Sequence, residues 1–336
     1  NEYGDSMINL IRSNRDANFP WLGVFIGSSV IGFWYWCTDQ FIVQRVLSGK
    51  DETQARRGAI FGAYLKLTPV FLFLIPGMVA FAMQKHGITV NGETFTMSSA
   101  DAAFPTLVAK LLPAGFKGLV VCGILAALMS SLASLFNSSA MLFTIDFYKK
   151  YRPKASEKTL LYVGRVATVV VVVLGILWIP VMKSVGSVLY NYLQDVQSVL
   201  APGIAAAFLL GICSKKATPK GGMWGLIAGF IIGITRLGAK VYYTSGATFS
   251  DSWFKYLFYD TNWLFFCGGM LLFCMLVIVV VSRFTTPAPA EQIVGLTFGS
   301  TTDEQRAVTR ASWNKWDVIH SAIIILITVV FYWYFW

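Results

Sequence analysis

The chain has 336 residues, of which 56% are hydrophobic and 13% are charged, and its formal net charge is +10. Soluble domains carry about 25% charged residues, so this composition excludes the ordinary water-soluble classes and predicts a membrane protein. The basic residues are spread over alternate connecting segments, as the positive-inside rule requires, so the net charge does not indicate nucleic-acid binding.

Long continuous apolar runs alternate with polar segments along the chain. A helix that crosses a bilayer needs about 20 mostly apolar residues, and continuous runs favour helices over a β-barrel. The sequence therefore predicts an all-α, polytopic helical membrane protein with a single transmembrane domain over residues 1–336. Its eight predicted spans are 20–44, 58–83, 117–146, 160–182, 188–213, 221–243, 261–283 and 317–336.

The distribution of lysine and arginine predicts the orientation of these spans. Both residues are concentrated after the first, third, fifth and seventh spans, which assigns those segments to the cytoplasm. The loop 84–116 is then predicted to be extracellular, and the loop 284–316 cytoplasmic. The polar first residues are not a signal peptide, and we expect further chain to precede them.

The first predicted span has a weakened middle, followed by aromatic and then polar residues. Residues 27–29 and Gly32 are small, residues 34–36 are all aromatic, and residues 38–40 are polar. A weakened helix beside aromatic rings suits a solute site at the membrane midplane. The alternative is a belt of aromatic residues at the membrane interface.

The second predicted span contains a lysine about two turns inside the apolar run. Lys66 is too deep for its ammonium to reach the membrane surface easily, so it needs a polar partner. Asp39 could form a structural ion pair with it, or a ligand hydroxyl could accept from it. The spacing leaves both readings open.

The third predicted span carries small and hydroxyl-bearing residues on one helical face. They are Ala127, Ser130, Ser131, Ser134 and Ser138, at helical offsets that align them. Serine hydroxyls and free carbonyls suit a hard cation such as sodium, as they suit calcium and magnesium. The same stripe also suits close helix packing, and the pattern alone favours packing.

The fifth predicted span begins with a polar stretch that contains Asn191, Gln194, Asp195, Gln197 and Ser198. Such a stretch could bind the hydroxyls of a polyol, or it could be a solvated helix start. The sixth span carries glycines at every fourth position, 225, 229 and 233, which predicts close packing against another helix.

Four stretches carry a family resemblance: WYWCTDQFIVQR from Trp34, GAYLKLTPVFLFLIPGM from Gly62, ALMSSLASLFNSSAMLFTIDFY from Ala127 and QSVLAPGIAAAFLLGI from Gln197. Together they resemble the sodium:solute symporter family, in particular its sodium/glucose cotransporter branch. The resemblance implies a LeuT-like fold of two inverted repeats, with the second repeat and peripheral helices present here. The first repeat is missing from the chain, so N-terminal helices of the same protein are expected to complete sites between the repeats.

The resemblance also assigns the hydroxyl stripe to sodium (Na⁺). Ala127, Ser130 and Ser131 match the family's sodium-site residues, which reverses the preference for packing. Ser134 matches a residue near a second sodium site in members that couple two ions. Those members have threonine where this chain has Ala133, so the resemblance favours coupling to one sodium ion.

The sugar contacts implied by the resemblance lie on three different spans. Tyr35 matches the aromatic inner gate that stacks on the sugar, and Trp36 is its neighbour. Lys66 and Gln194 match polar sugar contacts. Gly32 stands where relatives have threonine or asparagine, so one sugar contact of the family is missing here.

The resulting expectation is a secondary active transporter in the cell membrane, not an enzyme. It would couple sodium to a monosaccharide of the glucose or galactose type by alternating access, with sugar, sodium and membrane lipid as partners. No catalytic triad, phosphate loop or zinc spacing occurs, and two histidines are too few for a histidine metal cluster. Gly32 motivates one alternative, transport of myo-inositol or another polar solute, and a non-transporting solute sensor is the other.

Overall fold

The computed structural model describes residues 9–185, 189–244 and 252–335. Almost all of its regular structure is helical. The labelled helices are α1 (Trp21–Cys37), α2 (Gln40–Leu47), α3 (Glu52–Lys85), α4 (Ala103–Leu111), α5 (Ala114–Tyr151), α6 (Glu157–Val185), α7 (Leu189–Cys213), α8 (Pro219–Thr244), α9 (Trp263–Arg283), α10 (Asp303–Ala311) and α11 (Lys315–Tyr334).

Seven of the described helices are long and apolar enough to cross a membrane. The number rises to eight if α1 and α2, which are bent by 48° at a short break, form one span. These helices confirm the predicted class, a polytopic helical membrane protein. The membrane boundaries and the orientation of the spans stay predictions.

The first predicted span differs from a simple helix in two places. A π-helical segment, Val24–Ser28, includes the start of the weakened middle, and regular α-helix then continues from Ser29 to Cys37. The break comes later, at Thr38 and Asp39, because the Asp39 side chain caps α2 by accepting a hydrogen bond from the Phe41 amide at 3.2 Å. Further π-helical segments occur at Val70–Leu74 in α3 and Leu142–Tyr148 in α5.

The described residues form two compact units. The first unit contains the chain up to Gly62 and from Tyr190 onward, and the second contains Ala63–Leu189. Within each unit, the helices pack mainly against other helices of the same unit.

In the first unit, α1, α7, α8 and α9 pack together around small residues. A Cβ on Gly229 would lie 3.0 Å from Cys274 Sγ and 3.3 Å from Gly203 Cα, and a Cβ on Gly233 would lie 2.9 Å from the Val199 carbonyl oxygen. The glycine spacing in α8 therefore serves close packing, as predicted. A Cβ on Gly27 of α1 would likewise lie 2.6 Å from the Leu264 carbonyl oxygen.

Distant parts of the chain contact one another at the two ends of the first unit. At one end, the Leu10 amide donates to the Phe335 carbonyl at 2.8 Å, and Asn262 Nδ2 donates to the Ala17 carbonyl at 2.7 Å. At the other end, Arg57 lies 3.3 Å from the Asp317 carboxylate. Segments that the sequence assigns to the same side of the membrane thus contact one another.

In the second unit, α5 packs against α6, and a small polar subdomain follows α3. That subdomain, within the predicted loop 84–116, contains a two-stranded hairpin, β1 (Thr89–Val90) and β2 (Glu93–Thr94), and α4. The hairpin turns at Asn91 and Gly92, whose φ angles are 53° and 85°, as an Asn-Gly turn allows. Its buried Phe95 packs with Ala80 and Leu107.

Candidate functional site

Three consecutive aromatic residues end helix α1, one turn before the bend into α2. Trp34 packs against the core cluster that α1, α7 and α9 share. The half-buried Tyr35 ring meets the Trp36 ring edge-on, with centroids 5.4 Å apart, and Trp36 is 45% exposed. The half-buried Tyr35 ring and the exposed Trp36 ring are flat apolar surfaces of the kind on which a sugar stacks.

Gln194 lies in the second turn of α7. Its side-chain Nε2 donates to the hydroxyl of Tyr190, one turn earlier, at 3.0 Å. The amide of glutamine has two N–H donors and a carbonyl acceptor, so this bond leaves Gln194 able to bind a ligand hydroxyl. The Tyr190 ring in turn meets Phe19, whose own ring contacts Trp263 at the start of α9.

Directly after Gln194, Asp195 forms a charged cluster with two residues of α8. Its carboxylate makes an ion pair with Lys240 and lies 3.7 Å from the guanidinium of Arg236. Arg236 is completely buried, donates to the Thr261 carbonyl at 2.8 Å, and lies over the Phe266 ring at 4.0 Å. Three ionisable groups thus meet between apolar helices of the first unit.

The proposed sodium residues lie on α5 in the second unit. Ala127, Ser130 and Ser131 are all exposed. Further along the same stripe, Ser138 is buried and its hydroxyl donates to the Ser134 carbonyl at 2.8 Å. One end of the stripe is therefore packed inside the chain, and the end that carries the sodium candidates is open to ligands from elsewhere.

Lys66 lies near the end of the first, regular part of α3, just before Thr68, Pro69 and the π-helical segment Val70–Leu74. Its side chain is exposed. Lys66 belongs to the second unit and Asp39 to the first, so the possible pairing of these residues stays a prediction. Asp39 has a structural role of its own as the cap of α2.

The predicted site residues are thus divided between the two units. Tyr35, Trp36 and Gln194 belong to the first unit, and Lys66 and the three sodium candidates belong to the second. Their assignment to sugar and sodium stays a prediction. No group of three or more histidine, cysteine, aspartate or glutamate side chains that could hold a metal occurs among the described residues.

Sequence reasoning noticed Asp195 but missed Arg236 and Lys240, although both lie inside the predicted span 221–243. A signal was available, because Arg236 interrupts an apolar run four residues before Lys240. An arginine within a membrane span needs a partner, so its presence predicts an acidic residue on a neighbouring helix.

The helices and the buried polar residues define a multi-pass membrane protein with polar groups between its spans, an arrangement typical of transporters. The model of the sodium:solute symporter family matches residues 3–229. The chain therefore belongs to the sodium:solute symporter family, as the resemblance predicted.

Three relatives show where the chain lies within this family. It is 39% identical over 287 residues to sodium/glucose cotransporter 1 of Ovis aries, a match that covers 83% of this chain and 43% of the relative. It is 40% identical over 298 residues to sodium/glucose cotransporter 4 of Homo sapiens, with 86% and 44% covered. It is 36% identical over 346 residues to sodium/mannose cotransporter SLC5A10 of Bos taurus, with 98% and 58% covered.

The chain spans about half the length of the curated relatives it matches. These relatives are cotransporters by name, not enzymes.

Proposed function

We propose that this chain is part of a sodium-coupled symporter that carries a monosaccharide across the cell membrane by alternating access. The observation that carries the proposal is family membership together with relatives whose names are sodium/glucose and sodium/mannose cotransporters. The exposed hydroxyl face of α5, the aromatic pair at the end of α1 and the polar start of α7 are chemically suited to this function.

In this proposal, sodium is a co-transported substrate held on the exposed face of α5. Its ligands from this chain are the carbonyl of Ala127 and the hydroxyls of Ser130 and Ser131. Hard cations need about six oxygen ligands, so other parts of the full protein supply the rest. We propose that those parts are the N-terminal helices of a LeuT-like first repeat, against which this face packs.

Sugar binding is assigned to Tyr35, Trp36, Lys66 and Gln194. The rings would stack on the C–H face of the sugar, while the ammonium and the amide would bind its hydroxyls. Sodium would favour the outward-open conformation, and only to the extent that its affinity differs between conformations. Sugar would then favour closure.

The test is uptake of labelled glucose, galactose and mannose into vesicles that contain the full-length protein. We expect uptake with an inward sodium gradient and little uptake when potassium replaces sodium. Equal uptake in sodium and potassium would overturn the proposal. Binding of sugar without any uptake would favour the alternative of a solute sensor.

A second substrate class is favoured by the position of Gly32. A Cβ placed on this half-buried glycine meets nothing within 4 Å among the described residues, so the space of a larger side chain is left open. Myo-inositol or another polar solute could occupy it in place of a monosaccharide. Competition of the labelled sugars by myo-inositol and other polyols in the same vesicles decides between the two classes.

A further inference from the structure

The cluster of Asp195, Arg236 and Lys240 holds three charged side chains between helices of a membrane protein. Buried charges are retained only when they are paired, because removing a charge from water costs much more than an apolar contact returns. Arg236 is completely buried, and Asp195 and Lys240 are mostly buried, with 22% and 18% of their side chains exposed. Helix packing alone would not favour three charged groups at this position, so we look for a further role for the cluster.

The position of the arginine depends on a few contacts. One guanidinium nitrogen donates to the Thr261 carbonyl and faces Asp195, and the plane of the group lies over Phe266. The other two nitrogens, Nε and Nη1, make no hydrogen bond to the described residues. Asp195 is the acidic partner of Arg236 in this part of the chain, and its second oxygen bonds to Lys240.

The cluster continues the close contact between α7 and α8. Gly229 and Gly233 bring the two backbones together, and Arg236 and Lys240 follow at helical spacing on the same face of α8. Small residues therefore form the contact between α7 and α8 in the middle of α7, and ion pairs form it near the start of α7. Ion pairs at this position fix how the first turns of α7 are rotated about the helix axis.

Gln194 precedes Asp195, so the two side chains leave the helix about 100° apart. When the carboxylate of Asp195 is held against α8, the direction of Gln194 is set as well. A rotation of the first turns of α7 would move both groups together.

We propose that Asp195, Arg236 and Lys240 form an ionic clamp that orients Gln194 for its ligand. The three are positioning residues, and the proposal rests on the proposed function in taking that ligand to be a transported sugar. The clamp needs charge on Lys240 and Asp195, and it acts on sugar affinity through the orientation of Gln194.

The first test compares uptake by full-length Lys240→Gln, Lys240→Arg and Lys220→Gln. Lys240→Gln leaves Asp195 facing Arg236, and the formal charge of the cluster changes from +1 to zero. We expect the sugar concentration for half-maximal uptake to rise about five- to tenfold, or about 1–1.4 kcal/mol, with less than a twofold change in the sodium requirement. Lys240→Arg keeps the charge and should restore most of the affinity.

Lys220→Gln is the matched control, because Lys220 is an exposed lysine in the first turn of the same helix. It should leave both requirements unchanged. A purely structural role for Lys240 would lower the amount of protein in the membrane and the maximal rate, while both half-saturating concentrations stay at their original values. That result would overturn the clamp, as would equal increases in the sodium and sugar requirements.

The second test does not depend on transport. Gln194→Cys is placed in the full-length protein, in which the exposed cysteines, among them Cys37, Cys122 and Cys213, are replaced by serine. The rate at which a water-soluble thiol reagent modifies residue 194 is then measured with lysine, glutamine or arginine at position 240. We expect the rate to change at least threefold with glutamine and to return with arginine.

An unchanged modification rate with glutamine at position 240 would reject the clamp even if uptake were altered. Conversely, if the unmodified protein shows no sodium-dependent sugar uptake, the proposed function fails. In that case the rates of thiol modification at residue 194 still test whether Lys240 orients this position. The two proposals can therefore fail separately.

Discussion

At the residue scale, serine hydroxyls on one face of α5 are used in two ways. Ser138 is buried and satisfies its hydroxyl within the helix, by donating to the Ser134 carbonyl. Ser130 and Ser131, two turns earlier, are exposed. A buried serine that bonds to the preceding turn contributes to packing within the chain, whereas the exposed pair lies on the surface of the helix.

Ser131→Ala tests the assignment of this pair to sodium. Loss of one hydroxyl ligand should raise the sodium concentration for half-maximal uptake about five- to tenfold, since one such interaction contributes about 1–1.5 kcal/mol. The measurement is sodium-dependent sugar uptake by the full-length protein. Ser139→Ala, which removes a hydroxyl about 80° away around the same helix, is the control. Equal effects of the two substitutions would show that Ser131 has no specific role.

Asp16 holds the N-terminal segment in its local conformation through contacts with Arg12, Asn18 and Phe19, and this conformation should be sensitive to acid. Burial raises the pKa of its carboxyl, but hydrogen bonds from the amides of Phe19 and Asn18, at 2.7 and 2.9 Å, and the charge of Arg12 outweigh this. The net effect lowers the pKa below its ordinary value of 3.8. The native state therefore binds fewer protons than the unfolded state in this range.

The carboxylate of Asp16 thus contributes stability that is fully present above pH 3.8 and is lost as the pH falls through the lower, native pKa. We expect hydrogen exchange of the Asn18 and Phe19 amides, corrected for the intrinsic effect of pH, to become faster below about pH 4. Asp16→Asn should remove most of this pH dependence. Persistence of the same dependence in Asp16→Asn would assign it to another group.

At the scale of helices, α8 shows which part of the packing could be predicted from sequence. The spacing of Gly225, Gly229 and Gly233 predicted close contact correctly, because a glycine stripe leaves room for little else. The pairing of Lys240 with Asp195 could not be predicted in the same way, since the partners are 45 residues apart on different helices. Their meeting depends on how α7 and α8 pack.

Gly229→Val tests the close packing of α8. The new side chain would overlap Cys274 and the backbone at Gly203, so we expect destabilisation of about 1–3 kcal/mol and a melting temperature lower by several degrees. Gly238→Val, in the same helix, introduces the same side chain where a Cβ meets nothing within 4 Å among the described residues. Its melting temperature in detergent should change much less. Equal losses would mean that helix propensity, not packing, decides the effect.

The first predicted span shows a limit of reasoning from apolar runs. The run 20–44 is long enough to cross a membrane, and nothing in its length indicates the 48° bend. The local signal was Asp39, a good capping residue placed directly before Gln40. Sequence reasoning considered Asp39 as a partner for Lys66 and overlooked its capping role.

At the scale of the whole chain, the spans differ in how much of their apolar surface the chain itself covers. In α7 and α9, 39% of the most apolar stretch is buried, whereas none of it is buried in α5 and in Glu157–Pro180 of α6. The helix with the sodium candidates, α5, is thus among the least covered. The sequence indicated a stripe of small and hydroxyl-bearing residues on α5, but it could not indicate how little of this helix the described chain covers.

The bend after α1 also has a mechanical consequence. The carbonyl oxygen of Trp34 accepts hydrogen bonds from the amides of Thr38 and Asp39, both at 3.0 Å, and from the Thr38 hydroxyl at 2.8 Å. One backbone carbonyl oxygen therefore links the last turn of α1, which carries the aromatic residues, to the bend between α1 and α2. Since α2 is about 12 Å long, a 10° rotation of α2 about this bend would displace its C-terminal end by about 2 Å. A force that moves α2 would therefore act, through the Trp34 carbonyl, on the helical turn that carries Tyr35 and Trp36.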